Sequence, residues 1–314
     1  MGAASVGRAG RAVSRRPNPS KAARILTAMP RRSRLASSSL RCSMRQQVLG
    51  LVLALAALGG ANAAGAEAPA APASASLPDC SRPLSLGLHE HGLLYTGQTG
   101  EGIDKDIADE MSRRSGCRLT LTVLPRARIW QLIESGALDF TLSGIANAQR
   151  DKFAAFAWYV ANKYYLLVRR DADVHGVAEF HRKRRLKLGL IRSFRYGEQA
   201  NAFVDALEAE ERITYAGSLD PLYTILLDDG IQAMIIEPFD FPMIAGAQLK
   251  AQTAILEFGD APVLHGLVMS RKSLAPAQLQ AWGDVIQSMR ADGTMLRIFE
   301  KYFPADLARQ MTQF

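Results

Sequence analysis

The sequence predicts an α/β fold in two lobes: two parallel-rich sheets with helices, joined by two hinge strands. Three observations predict it. Strand and helix patterns alternate from residue 83 to about residue 262, the order that produces parallel sheets with right-handed crossovers. The alternation starts afresh after about residue 175. Two similar stretches, "YLLVRRDAD" and "HGLVMSRKS", flank that second series, each an apolar run followed by a basic pair and a polar turn.

The elements follow in order. "PLSLGL" (83–88) alternates as a strand does. Residues 103–115 place Ile103, Ile107 and Met111 on one helix face, and Gly116 ends that helix. "RLTLTVL" (118–124) is the second strand. "RIWQLIES" (128–135) is a helix closed by Gly136 at a C-cap position, and "LDFTLSG" (138–144) is the third strand. "KYYLLVRRDADV" (163–174) is a β-rich run, read as the first hinge strand. The second series has strands at 186–191, 213–217, 231–236 and 254–258. Its helices are expected at 198–211 and 219–229, the latter N-capped by Ser218. Residues 265–273 form the second hinge strand, and helices over roughly 276–290 and 294–302 return to the first lobe. The first lobe is therefore 80–170 plus 264–314, and the second is 171–263.

The leader has a different character. Residues 1–66 hold eleven basic residues and no acidic one. Of the chain's +8 formal charge nothing remains after residue 66, where 27 basic and 30 acidic residues leave −3. The high pI thus belongs to the leader, and the body gives no support for a nucleic-acid or anionic-membrane partner. Within "MRQQVLGLVLALAALGGANAAGA", Arg45 is a short charged region and Val48 to Leu58 an apolar run of eleven residues. Ala61-Asn62-Ala63 is a small-x-small cleavage site. This is the pattern of a secretory signal peptide over 44–63; a bilayer core would need ~20 apolar residues. Residues 1–43 are read as an upstream extension, either untranslated with the start at Met44 or a disordered, transit-like segment. Residues 64–79 are read as a linker.

Processing leaves two cysteines, Cys80 and Cys117, in an oxidising compartment. Each precedes a strand, and the segment between them is long enough for a crossover helix. Neighbouring parallel strands start at one sheet edge ~4.8 Å apart, so a Cys80–Cys117 disulfide is expected.

Three motifs carry a resemblance. "GIDKD" (102–106), "IESGALDFTLSGIANAQRDKFAAFAWYVANKYYLLVRR" (133–170) and "LDDGIQAMIIEPF" (227–239) occur in this order. The chain resembles the periplasmic solute-binding proteins of amino-acid ABC transporters (family 3) over about 81–305. The resemblance implies the two-lobed periplasmic-binding-protein fold. It also implies that Arg150 holds a ligand α-carboxylate, that Glu237 pairs with an α-ammonium, and that backbone N–H groups of Ser193 to Gly197 assist. A guanidinium fits a carboxylate as a bidentate fork, and a charged group on each lobe lets ligand favour the closed form.

The chain departs from the family pattern in places. Ile145 stands where Ser or Thr is usual, leaving Ser143 and Asn147 as polar candidates. "RSFRYG" (192–197) replaces a small Gly-Thr-Thr-like turn, which makes Arg195 and Tyr196 candidate contacts and leaves a dicarboxylate open. Arg126 follows strand two near the cleft rim. Tyr95 lies after strand one, where the family places an aromatic against the ligand. His89 and His91 are read as no metal site: no Cys/His cluster completes one, and the pair is read as pointing to opposite faces. Tyr164 and Tyr165 are read as hinge-strand packing, and "HRKRRLK" (181–187) as a solvated loop.

The function read from these residues is that of an exported solute-binding protein. It would capture a small carboxylate-bearing ligand, an amino acid by preference, and deliver it to an ABC permease at the inner membrane. It is expected to be a periplasmic monomer without cofactor, metal or nucleic acid, and not an enzyme. Two alternatives stay open. One is a cleft enzyme of the cyclohexadienyl dehydratase type, with Glu237 as general acid. The other is a module presenting ligand to a signalling partner. Nucleophile-elbow, P-loop and zinc signatures do not occur.

Overall fold

A computed structural model describes residues 77–314. The upstream extension, the signal peptide and all but the last three residues of the linker lie outside the described residues. The expected α/β architecture is present as two five-stranded sheets.

The first sheet has the order β2-β1-β3-β10-β4. Its strands are β1 (Leu84–Leu88), β2 (Leu119–Val123), β3 (Phe140–Gly144), β4 (Ala154–Asn162) and β10 (Val263–Ser270). The second sheet has the order β7-β6-β8-β5-β9, made of β5 (Tyr165–Arg169), β6 (Leu188–Ile191), β7 (Ile213–Ala216), β8 (Ala233–Ile236) and β9 (Thr253–Glu257). Each sheet keeps a three-strand parallel centre, β2-β1-β3 or β7-β6-β8, and adds two strands through antiparallel pairing. β1 and β3 are buried on both faces, as central parallel strands are, with small or hydroxyl residues between their large apolar ones.

Helices α1 (Ile103–Ser115) and α2 (Arg126–Ser135) connect the first-sheet strands. Both end on a left-handed glycine, Gly116 and Gly136. The second sheet carries α3 (Val177–Arg182), α4 (Glu198–Ala209), α5 (Leu219–Leu227), α6 (Phe241–Ile244) and α7 (Ala247–Gln252). Helices α8 (Pro276–Ala291), α9 (Thr294–Glu300) and α10 (Ala305–Thr312) follow β10. Their apolar faces, with Trp282, Met289, Phe299 and Met311, join Leu86, Phe140 and Tyr159 in one core. A separate core around Phe180, Leu188, Val204 and Ala233 serves the second sheet.

Two sequence expectations are corrected here. Tyr165–Arg169 was assigned to the first lobe, but β5 pairs with β8 and β9 in the second sheet. The first crossing is therefore residues 163–164, and the other is 258–262. The two similar stretches end in different sheets, β10 lying between β3 and β4. Likeness in residue order carries no information about which strand a segment pairs with. Second, residues 154–162, to which the sequence assigns no element, form a nine-residue strand. It is largely buried on both sides, so it lacks the alternation that marks a strand.

Cys80 and Cys117 form a disulfide, with their Cα atoms 4.9 Å apart. The cause is the one expected: β1 and β2 pair in parallel from Leu84↔Leu119 onward, so the residues before them meet at one sheet edge.

The strand orders place the site. In each sheet the connections diverge between two parallel strands, β1 and β3 in one and β6 and β8 in the other. Ligands of open α/β sheets bind beyond the carboxyl ends of such strands. The residues there are 89–91, 143–150, 192–197 and 237.

Candidate functional site

The loop after β3 holds Arg150 in place. Ser143, the penultimate residue of the strand, has a left-handed conformation, φ 52°. Its N–H donates to the Tyr159 hydroxyl at 2.7 Å, and its Oγ donates to Asp104 Oδ1 at 2.7 Å. Asn147 Oδ1 accepts from the N–H groups of Gln149 and Arg150 at 3.0 and 2.9 Å. Asn147 thus folds the loop and does not line the cavity beyond it. Arg150 is buried, and its guanidinium lies 3.8 Å from the centroid of Trp130 on α2. Nη1 donates to Ile145 O and Nη2 to Ser193 O, each at 2.8 Å. The second bond reaches the turn after β6. Ile145 therefore contributes its carbonyl where a hydroxyl was expected.

Arg126 begins α2 and is buried, not at a rim. It donates to Ser143 O at 2.7 Å and Leu142 O at 3.2 Å, with longer contacts to Thr141 Oγ1 and His89 Nδ1. Its guanidinium lies 5.5 Å from the Trp130 centroid and 5.9 Å from that of Phe194.

From the second lobe, the turn 192–197 brings Phe194 against His91 and His89, ring centroids 5.1 and 5.8 Å away. Arg195 is exposed at the cavity edge. Tyr196 turns away and packs on Tyr164, edge to face at 5.0 Å. Glu237 follows β8 and is buried. Its Oε1 lies 2.9 Å from His91 Nε2, and its Oε2 accepts from Asn162 Nδ2 at 2.9 Å. A reciprocal capping box with Asp240 fixes its backbone. The next residue but one, Phe239, sits in the first-lobe core beside Phe299 and Phe303, and its carbonyl accepts from Leu93 N at 2.9 Å. Gly92 makes this approach possible: at φ 49° a Cβ would fall 2.3 Å from Phe239 O.

Arg126, Ser143, Arg150, Arg195 and Glu237 therefore line one small cavity, with Ile145 and Ser193. Tyr95 does not; it borders a separate hollow with Glu90, Asp220 and Tyr223. Sequence reasoning missed His89, Tyr164, Phe194 and His265 as lining residues. His89 was placed on the opposite face from His91, yet their rings are 5.5 Å apart. Residues i and i+2 of an extended segment share a face, so the spacing itself carried the signal. His265 owes its position to a register shift between it and Gly266 in β10, which no pattern announces.

Burial dominates the electrostatics. It pushes the His89 imidazole well below its ordinary value and His265 down to about 4, so both are neutral at pH 7. It raises Asp104 to about 6, against the opposing hydrogen bond from Ser143 and charge of Arg126. Arg150 is lowered to about 9, first by burial and then by the charges of Arg126 and Arg195; it remains a cation at neutral pH. For Glu237 burial acts upward, but the contact and charge of His91 prevail and hold its carboxyl below the usual range.

The comparisons concern the fold and the family. An ABC uptake transporter substrate-binding protein from Streptococcus pneumoniae, solved with bound histidine, superposes with a TM-score of 0.60 at 14% identity, covering 70% of this chain and 92% of its own. The arginine-, lysine-, histidine-binding protein ArtJ from Geobacillus stearothermophilus gives 0.60 at 16%, covering 71% and 95%. The GluR0 ligand-binding core from Nostoc punctiforme, in complex with L-glutamate, gives 0.58 at 13%, covering 70% and 99%. At these identities the likeness concerns the fold. No curated protein sequence matches. The family model for bacterial extracellular solute-binding proteins, family 3, matches residues 92–305, which span both sheets and every residue of the cavity except His89, and to that family this chain belongs.

Proposed function

We propose that this protein is exported, captures a small carboxylate-bearing solute between its lobes and hands it to an ABC permease. The observation that carries the reading is Arg150. A buried guanidinium is costly unless an anion or good acceptors meet it. Arg150 has two neutral carbonyls and an aromatic face, one of those carbonyls belonging to the opposite lobe. A carboxylate entering between Arg150 and the turn 192–197 would exchange a neutral acceptor for a charge-assisted pair. It would also hold the lobes together through that turn, which is how ligand favours a closed state.

The dehydratase alternative needs Glu237 as a proton donor. A carboxyl held below its usual range is ionised at neutral pH, which disfavours that role. We therefore read the cleft as binding without turnover.

Thermal-shift and calorimetric titration of the full, exported protein against amino acids and small carboxylates tests the reading. At least one carboxylate should raise Tm saturably, and Arg150→Gln should lose that rise while its unliganded Tm stays within a few degrees. Equal affinity in Arg150→Gln, or no response to any carboxylate, would overturn it.

A further inference from the structure

We infer that the solute is a small dicarboxylate that carries no ammonium group; this rests on the carboxylate-capture reading above and narrows it. The cavity is lined by three guanidinium groups, Arg126, Arg150 and Arg195, and one carboxylate, Glu237. Arg126 and Arg150 are both buried, and both lie against the ring of Trp130. Every hydrogen-bond acceptor they reach is neutral. Neither lies within salt-bridge distance of a carboxylate among the described residues. The largest opposing charge felt by Arg126 is that of Asp104, which is bonded to Ser143 and does not line the cavity, with Glu237 a smaller one. Arg126 and Arg195 also lower the pKa of Arg150, as cations sharing a site do. Two buried cations facing one small space call for two negative charges, each able to take a guanidinium fork.

The single acidic wall residue already has both of its oxygens met by protein groups. One Glu237 oxygen lies 2.9 Å from His91 Nε2 and the other accepts from Asn162 Nδ2, both groups coming from the first lobe. The joint that holds them is packed, through Phe239 in the first-lobe core and the Leu93–Phe239 backbone bond. Opening the lobes need not break it. A ligand ammonium would have to displace the built-in His91 ring and the Asn162 amide from a buried carboxylate, a displacement that no dicarboxylate requires. The remaining polar walls are neutral imidazoles. His89 Nε2 and His265 Nδ1 are buried without a hydrogen-bond partner, and they suit the middle of such a ligand, including a hydroxyl or oxo group, rather than a charge.

The test uses ligand pairs that differ only by the ammonium: glutarate against L-glutamate, and succinate against L-aspartate. Calorimetry at pH 7.5 on the full, exported protein should show at least one dicarboxylate binding tenfold or more tighter than its amino counterpart and than acetate. Arg126→Gln should weaken that dicarboxylate tenfold or more. Should this variant fold poorly, His91→Gln supplies an independent measurement. It removes the imidazole beside Glu237, so the preference for the dicarboxylate over its amino partner should narrow at least tenfold. Tighter binding of L-glutamate and L-aspartate in the unaltered protein, or an unchanged preference in His91→Gln, would overturn the inference while leaving carboxylate capture standing. No binding by any of the five compounds would overturn the inference, and a wider carboxylate panel without a hit would overturn the function itself.

Discussion

The imidazole of His91 lies 2.9 Å from the carboxylate of Glu237, first lobe to second. Asp240 stands 3.4 Å from the same nitrogen. Both partners are buried, so the pair is neither screened like a surface salt bridge nor free to dissociate without leaving an unpaired charge. It fastens the turn that carries Phe239 to the loop that carries Gly92. It also occupies the carboxylate that the family resemblance assigned to a ligand ammonium.

The pH dependence of that pair can be worked out. Burial alone would lower the His91 pKa, but Asp240 and Glu237 raise it above 6.5. A raised imidazole pKa contributes stability that is complete below 6.5 and is lost as pH rises through the raised value. Glu237 is lowered below 4.5, so its contribution is complete above 4.5 and is lost as pH falls through the lowered value. Both act together between 4.5 and 6.5. The Tm deficit of His91→Gln should be largest in that window and smaller at about pH 9. A deficit that grows steadily toward alkaline pH would contradict the assignment.

Asp104 gives the opposite sign. Burial raises its carboxyl from 3.8 to about 6 despite the Ser143 and Tyr159 hydroxyls and the charge of Arg126. The stability it contributes is present below 3.8 and is lost as pH rises through about 6. Asp104→Asn buries no charge, and its side-chain oxygen can still accept from Ser143. The variant should match the unaltered protein near pH 4 and exceed it at pH 8 by at most about 3 kcal/mol. A variant less stable than the parent at pH 8 would show that the Asp104 charge is needed, with Arg126 as the reason.

Much of this was legible in the sequence for local reasons. The helix ends at Gly116 and Gly136, the disulfide edge and the strand preceding Arg150 all follow from neighbouring residues. Arg126, Arg150, Arg195 and Glu237 could be picked out because charges at strand ends are conspicuous. What could not be read was pairing at a distance. Nothing near Glu237 announces that His91, 146 positions earlier, takes its oxygen. Nothing in residues 165–169 says that their partners are β8 and β9 rather than β3. Asn147 and Tyr196 looked like ligand contacts because polar residues in a cleft loop do. The backbone needed the first as a turn acceptor, and the second packs on Tyr164.

The disulfide closes a loop with a sequence separation of 37 residues. Loop-closure entropy for that length amounts to about 4 kcal/mol, and measured values usually fall between about 2 and 4. Replacing both Cys80 and Cys117 by Ser should lower the urea unfolding free energy by about 2–4 kcal/mol without altering ligand affinity, because the bond sits at the sheet edge opposite the cavity. A loss below about 1 kcal/mol would mean that the packed β1–β2 edge holds this region without the crosslink.

Trp130 offers a direct report on the cavity. Its ring carries Arg150 at 3.8 Å and Arg126 at 5.5 Å, whereas Trp282 is enclosed in the first-lobe core against Phe140 and Trp158 stacks on Phe156 in β4, outside the cavity lining. A dicarboxylate that engages both guanidinium groups changes the charge directly over the Trp130 indole and leaves the Trp282 surroundings as they were. Titration with glutarate or succinate should therefore change the tryptophan emission saturably, with a midpoint equal to the calorimetric Kd. Trp130→Phe should abolish the change and keep the protein folded, since the phenyl ring still offers a face to Arg150. Trp282→Phe should retain it. A signal that survives Trp130→Phe and disappears in Trp282→Phe would place the binding event away from Arg126 and Arg150, and the cavity between the lobes would lose its claim to the ligand.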